Sequence, residues 1–267
     1  MAHQALENLT VLDLTRVLAG PFCTMMLADM GANVIKIEIP GAGDDTRAYP
    51  PFQQNVNHES ESLYFANINR NKKGVTLNLK SEQGKKIFLE LAKKADIVIE
   101  NYRPGVMDRL GLGWEVLHQT NPRLIYAAVS GFGSYGPYHQ RPGYDILAQA
   151  MGGMMSITGS KGGPPTRAGS ALGDILGGLH VAIGILAAVN ARTITGEGQF
   201  VDVSLMDSMM ARDSRRTPIS RICCPPDWKP FSITIPAPSR VAPDFFTISI
   251  SPKRAHPFAR KSSIRRT

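Results

Sequence analysis

Asp174 is the side chain best placed to do chemistry. It lies in Arg167-Ala-Gly-Ser-Ala-Leu-Gly-Asp-Ile-Leu-Gly-Gly-Leu-His180, between glycines and at the mouth of a long apolar stretch. A carboxylate there has two uses. It can cap a helix that begins at Ile175 by accepting first-turn amides. It can also act as a covalent nucleophile whose anion the helix N-terminus favours, with Gly169 and Gly173 leaving room for backbone and ligand to approach. Local sequence alone favours the cap, and the two roles are compatible. His180, two turns inside the apolar stretch, reads as a packed core histidine rather than a base. The methionines at 25, 26, 30, 151, 154 and 155 read as core filler.

Such an acid needs elements to hold it, and the body alternates strand and helix signals. Residues 9–14 predict a buried strand, 21–30 a helix with Pro21 at its first position and Gly31 as its stop, and 33–38 the next strand. Residues 75–79 predict a short strand, after which Ser81 caps a helix with Ile87, Phe88, Leu91, Ala92 and Ala95 on one face. Strands at 96–100 and 124–129 flank a short helical pair around Met107 and Trp114. Helices at 144–155 and 175–192 precede a strand at 199–204. The order β, α, β implies an α/β domain, a Rossmann-like parallel sheet with covering helices.

Composition separates this body from the C-terminal segment. The 267 residues are 43% hydrophobic, enough for a large core, so a globular enzyme is expected. The net charge of +8 is unevenly spread: residues 212–267 carry 12 Lys or Arg against 3 Asp or Glu, a net of +9, which leaves −1 for residues 1–211. The basic excess therefore says nothing about the body's partners. The same segment holds nine prolines and sustains no helical or strand period, although a strand stub with no paired sequence in the body is expected at 245–250. Cys23, Cys223 and Cys224 have neither metal nor disulfide spacing, so no metal site is expected. The N-terminus lacks a secretory pattern, and the apolar run at 175–189 is too short and glycine-rich to span a bilayer. A cytoplasmic protein without membrane or nucleic-acid partners is expected.

Several ordered motifs then carry a resemblance. Asp13-Leu-Thr-Arg-Val-Leu-Ala-Gly-Pro-Phe22, Gly31-Ala-Asn-Val-Ile-Lys-Ile-Glu38 and Gly41-Ala-Gly-Asp-Asp-Thr-Arg47 resemble the opening of family III CoA-transferases. Asn69-Arg-Asn-Lys-Lys73, Ala95-Asp-Ile-Val-Ile-Glu-Asn-Tyr-Arg-Pro-Gly105, Gly131-Phe-Gly-Ser-Tyr-Gly-Pro137, Arg141-Pro-Gly-Tyr-Asp145 and the Asp174 segment extend it. The resemblance implies transfer of CoA from an acyl-CoA to a small carboxylic acid, with Asp174 as nucleophile through an aspartyl mixed anhydride and an aspartyl-CoA thioester. It implies no permanently bound cofactor, CoA arriving as the acyl-CoA substrate. It places CoA contacts at Leu18 and Ala19, along Leu77, Asn78, Leu79 and Lys80, at Asn101, Tyr102 and Arg103, at Arg109, and in the loop at Arg141 and Tyr144. Lys80, Arg103, Arg109 and Arg141 suit the cofactor's phosphates, because a polyanion needs fixed cations. Ile39 stands where formyl-CoA transferase has an arginine near the adenine, but Lys36, Arg47 and Lys72 lie nearby in sequence.

The resemblance stops near residue 211, whereas family members continue into a small domain and a returning segment and form interlocked homodimers. Residues 1–211 are thus expected to be the large domain and 212–267 a disordered or non-native tail, as truncation or a frameshift would leave, with the small domain missing and little activity in the chain as it stands. There are two rivals. An α-methylacyl-CoA racemase would need a second base, which that group supplies as the His of Gly-His-Asp; here the triplet is Gly143-Tyr-Asp145, and a phenol with an ordinary pKa of about 10 is a poor base. The other rival is a truncated, inactive fragment or an interaction protein whose basic tail binds nucleic acid, and against the latter the tail lacks any ordered motif. A dinucleotide site is rejected: Glu38 sits where a ribose acid would, but the first turn, Val17-Leu-Ala-Gly-Pro21, lacks G-x-G-x-x-G.

Overall fold

The computed structural model describes residues 3–54, 60–210, 232–236 and 245–249, the last two segments as backbone. The chain runs β1 (Thr10–Asp13), α1 (Ala19–Asp29), β2 (Asn33–Glu38), a 3-10 turn at Asp45–Ala48, a small hairpin of β3 (Phe52–Gln54) and β4 (Ser60–Ser62), then α2 (Leu63–Ile68) and β5 (Lys73–Thr76). It continues as α3 (Glu82–Ala92), β6 (Ile97–Glu100), α4 (Val106–Leu110), α5 (Trp114–Thr120), β7 (Ile125–Ser130), α6 (Asp145–Met151), α7 (Met154–Ile157), α8 (Leu172–Thr195), β8 (Phe200–Ser204) and α9 (Leu205–Met209). Six strands pair in the order β5-β2-β1-β6-β7-β8, every pair parallel.

Alternation along the central strands feeds two separate cores, as a sheet covered on both faces requires. Val11, Ile97, Ile99, Ile125, Ala127 and Val129 face one side, where Leu27 of α1 and Val181, Ile185 and Ala188 of α8 meet them. Leu12, Val98, Tyr126 and Ala128 face the other, against Phe88 and Ala92 of α3, Met107 of α4 and Leu117 of α5. The expected α/β layering with a parallel sheet is what forms. α8 lies tight on α1: a Cβ at Gly178 would sit 2.6 Å from the Ala19 carbonyl oxygen, so glycine permits the close crossing.

Several boundaries move for physical reasons. α1 starts at Ala19, two residues before Pro21, which still sits in the first turn where a missing N–H costs nothing. β5 occupies Lys73–Thr76 rather than 75–79, because its register against Ile35–Glu38 is fixed by parallel pairing at an exposed sheet edge. Ser81 caps α3 as expected, its hydroxyl accepting from the Gly84 N–H at 3.0 Å, but Ile87 is exposed while Gly84, Phe88 and Ala92 line the buried face. The single helix expected at 144–155 splits into α6 and α7 at Gly152-Gly153, two residues each unfavourable by about 1 kcal/mol within a helix.

α8 is longer than the apolar run suggested. Its 24 residues, with mean hydropathy 1.9 over the most apolar window, are long and apolar enough by length and composition to cross a bilayer. In the fold it instead covers the sheet, with Gly177, Val181, Ile185 and Ala188 buried. Beyond residue 210, β9 (Ser232–Pro236) pairs antiparallel with β10 (Phe245–Ser249), so the strand expected at 245–250 is present and its pairing partner lies within the tail. The alternating isoleucines 233 and 235, hemmed by prolines, were too short a run to read as a strand. The other residues of the 212–267 segment, and the character expected of it as a whole, lie outside the described residues.

Candidate active site

The strand order reverses direction between β1 and β6, and in open α/β sheets ligands sit outside the carboxyl ends of strands at such a point. The turn from β1 to α1 is therefore the first wall of the site, and a buried polar network builds it. Asp13, fully buried at the end of β1, accepts from the Thr15 N–H at 2.9 Å, from the Thr24 hydroxyl at 2.7 Å and from Lys72 Nζ at 3.1 Å. Lys72 also donates to the Pro21 carbonyl at 3.0 Å and to Asn69 Oδ1 at 2.8 Å. Lys36, equally buried, donates to the Thr15 carbonyl and to Asp44 Oδ2, both at 2.9 Å. The Asn101 side chain accepts from the Arg16 N–H at 2.8 Å and donates to the Arg16 carbonyl at 2.6 Å, tying the turn to β6. Val17 is held at φ 69°, a left-handed conformation that costs a β-branched residue free energy and that only such over-determined surroundings sustain.

These contacts correct one sequence expectation. Lys36 and Lys72, counted as cations near the cofactor, are each about 2% exposed and paired with Asp44 and Asp13, so they staple the turn. Arg47 donates to both Glu38 oxygens at 2.9 and 2.7 Å and lies over the Phe65 ring at 3.7 Å. Burial tends to raise the Glu38 carboxyl, but Arg47 and the Asp44 N–H hold it below its ordinary value.

Asp174 is the third residue of α8, not the residue before it, and so does not occupy the cap. Ala171 stands at the cap without a side-chain hydrogen bond, and the first-turn amide of Gly173 donates instead to Asp145 Oδ1 of α6 at 2.7 Å. Asp174 is thereby left to face the cleft, half-buried. Burial, together with the nearby Asp145 carboxylate, pushes its carboxyl up from 3.8 to about 7. The expectation that the helix N-terminus would favour the anion is outweighed by desolvation. Tyr64 of α2 is close enough that its phenol, raised first by burial, is raised further by Asp174.

The cleft encloses about 450 Å3, within the range of small-molecule sites. Of the residues expected to contact CoA, Leu18, Ala19, Asn101, Tyr102, Arg103, Arg141 and Tyr144 line it together with Asp174. Leu77, Asn78, Leu79, Lys80 and Arg109 do not. Leu77 and Leu79 pack against the core beneath α3, Asn78 Oδ1 accepts from the Lys80 N–H at 3.0 Å, and Arg109 is an exposed residue of α4 beyond the lining residue Val106. Tyr144 reaches the site because two loops touch: a Cβ at Gly131 would lie 2.4 Å from the Gly143 Cα.

The structure adds lining residues that sequence reasoning missed, among them Arg16, Asp45, Ser130 and His139. Arg16 lies 5.9 Å from the Tyr102 ring centroid and 3.5 Å from Asp45, and Arg141 lies 4.4 Å from the Tyr138 ring centroid. The family motifs contain Arg16 and Asp45, but only folding shows which of their members line the cleft. Behind the wall, burial raises Glu100 to about 8, although it accepts from the Tyr102 N–H at 2.6 Å and the Tyr126 hydroxyl at 3.2 Å. Tyr102 is pushed up to about 12, chiefly by burial. The result is a cleft with arginines on its walls, a half-buried carboxyl at a helix start, and apolar backing from Val129 and Leu205. It is suited to an anionic ligand with an electrophilic carbon.

Known proteins share this sequence pattern and fold. The model of CoA-transferase family III matches residues 6–217. Acetyl-CoA:oxalate CoA-transferase of Acetobacter aceti is 52% identical over 206 residues, which cover 77% of this chain and 52% of that protein. Succinyl-CoA:mesaconate CoA-transferase of Haloarcula marismortui is 48% identical over 211 residues, 78% of this chain and 53% of that one. A CAIB/BAIF family protein from Brucella suis superposes with a TM-score of 0.75 at 42% identity, covering 78% of this chain and 55% of the other. The chain thus spans about half the length of the relatives it matches. By its motifs, its fold and the family model covering residues 6–217, the chain belongs to CoA-transferase family III.

Proposed function

We propose that this chain supplies the catalytic half of an enzyme that moves CoA from an acyl-CoA thioester to a carboxylic acid, with Asp174 as the covalent nucleophile. The observation that carries it is the placement of Asp174: half-buried, free of the helix cap, and facing a cleft at the sheet's reversal point. An Asp174 oxygen attacks the thioester carbon, the C–S bond breaks, and a mixed anhydride and CoA thiolate result. The thiolate then attacks Asp174 Cγ, releasing the first carboxylate and leaving an aspartyl-CoA thioester. The acceptor carboxylate attacks that carbon in turn, giving a second anhydride and thiolate. Attack of this thiolate on the acceptor carbonyl forms the new acyl-CoA and restores Asp174. Covalent catalysis of this kind splits one difficult exchange into easier steps.

Arg103 and Arg141 fit the phosphorylated arm of CoA, with Arg109 and Lys80 taking the part of the cofactor that extends beyond the cleft. Relatives are named for oxalate, mesaconate and glutarate, so a dicarboxylate is the proposed acceptor class. Arg16 is better placed for it than Arg47, which Glu38 occupies. The intact protein is proposed to be a homodimer. The test is trapping: hydroxylamine or borohydride added with acyl-CoA should mark Asp174, and Asp174→Ala should abolish both marking and exchange. Substantial transfer by that variant would refute the assignment. The racemase alternative is separated by solvent deuterium, which should not enter the α-position of a 2-methylacyl-CoA, because Tyr144 stands where the second base would be needed.

A further inference from the structure

The aim of the Asp174 carboxylate is set by the first turn of α8, and that turn is held from outside its own sequence. With alanine at the cap, the Gly173 amide depends on Asp145. Asp145 in turn depends on Gln149, which is fully buried one turn further along α6. Gln149 Nε2 donates to Asp145 Oδ2 at 2.8 Å and to the Ser170 carbonyl at 3.3 Å, while Gln149 Oε1 accepts from the Ala168 N–H at 2.9 Å. Both of its N–H donors and its oxygen are therefore used. A leucine of similar size would leave all three of these partners without Gln149. Gln149 holds two things at once: the acid that anchors the start of α8, and the 168–170 segment that delivers the chain into it. Gln149 does not line the cleft, so it has no direct path to substrate.

Resting on the assignment of Asp174 as nucleophile, we propose that Gln149 is a positioning residue for it, acting through Asp145 and the 168–170 segment to fix the direction of the Asp174 carboxylate. A reacting group displaced by about 1 Å can lose about a hundredfold in rate. The consequence falls on the reaction step and not on acyl-CoA binding.

The experiment uses the 267-residue chain, with succinyl-CoA and hydroxylamine as the probe of Asp174 and amide hydrogen exchange as the probe of the turn. Gln149→Leu should slow Asp174 labelling at saturating succinyl-CoA by about 10- to 100-fold, with the half-saturating concentration unchanged. Exchange at the Ala168 and Gly173 amides should quicken by about tenfold, the equivalent of one lost hydrogen bond. The exchanged pair Asp145→Asn/Gln149→Glu keeps an acceptor for each of those amides and a donor between the two side chains. It should restore amide protection and raise labelling above the Gln149→Leu level. If Gln149→Leu does not fold, the exchanged pair carries the test, and loss of amide protection together with loss of labelling in it overturns the proposal. Labelling of Gln149→Leu at the wild-type rate overturns it as well. If the wild-type chain is not labelled, amide exchange decides alone whether Gln149 holds the turn, and unchanged protection in Gln149→Leu overturns the proposal.

Discussion

Replacing Asp174 by asparagine should stabilise the fold while abolishing its chemistry, and the stabilisation should depend on pH in a defined way. The carboxyl is raised from 3.8 to about 7 by burial and by Asp145. Between those two values the folded state holds a proton that the unfolded state has lost, so stability falls as pH rises through that window and the loss is complete above about 7. The full shift is worth about 4 kcal/mol at 1.36 kcal/mol per pH unit. Between pH 5 and pH 8 the part still to be lost is about 2–3 kcal/mol. The advantage of Asp174→Asn over wild type in unfolding free energy should accordingly be larger by that amount at pH 8 than at pH 5. Denaturant titrations of both proteins at the two pH values measure it directly. Glu100 and Asp207, also raised, are common to both proteins and cancel in the difference. An advantage that is the same at both pH values would show that Asp174 titrates like an ordinary surface carboxylate and would refute a desolvated site.

Four further outcomes are expected. Lys72→Met removes the ion-pair partner of the buried Asp13 and should cost about 3–5 kcal/mol in a denaturant titration, much of it recovered by adding Asp13→Asn. Burial would raise the Asp13 carboxyl, but Lys72, Lys36, Thr15 and Thr24 hold it at about 2, so its contribution is present above about 4 and is lost as pH falls through about 2, visible as acid unfolding that Asp13→Asn removes. Gly178→Ala forces a Cβ to within 2.6 Å of the Ala19 carbonyl and should destabilise by about 1–3 kcal/mol, with Asp174 labelling reduced in the folded fraction because α8 is pushed off α1. Arg141→Ala and Arg109→Ala should each raise the half-saturating concentration of every acyl-CoA by a similar factor, worth about 1–3 kcal/mol, and an effect confined to one acceptor acid would contradict their assignment to CoA.

Local signals carried much of the fold because they act over a few residues. Apolar runs of strand length, the Ser81 cap and Gly31 after α1 each state their role within one turn or one strand. The same locality explains the errors. Nothing near Ile87 says that it faces solvent, and nothing near Lys73 says that its pairing with Ile35 shifts β5 by two residues. The motifs identified the family, but they did not separate residues that line the cleft from residues that brace the turn.

That separation was made only by contacts between distant parts of the chain. Lys72 reaches Asp13 across 59 positions, Asn101 reaches Arg16 across 85, and Asp145 caps the turn before Asp174 from 28 positions away. A lysine in a motif is left free for a ligand or becomes half of a buried pair according to whether a carboxylate waits for it, and an aspartate at a helix start holds the first turn or faces the cleft according to whether another acid has taken the first-turn amide. The sequence by itself determined which residues were present and the local elements that carry them. The tertiary structure decided which of them are buried, which are paired and which face the cleft, because these depend on partners that chain order does not reveal.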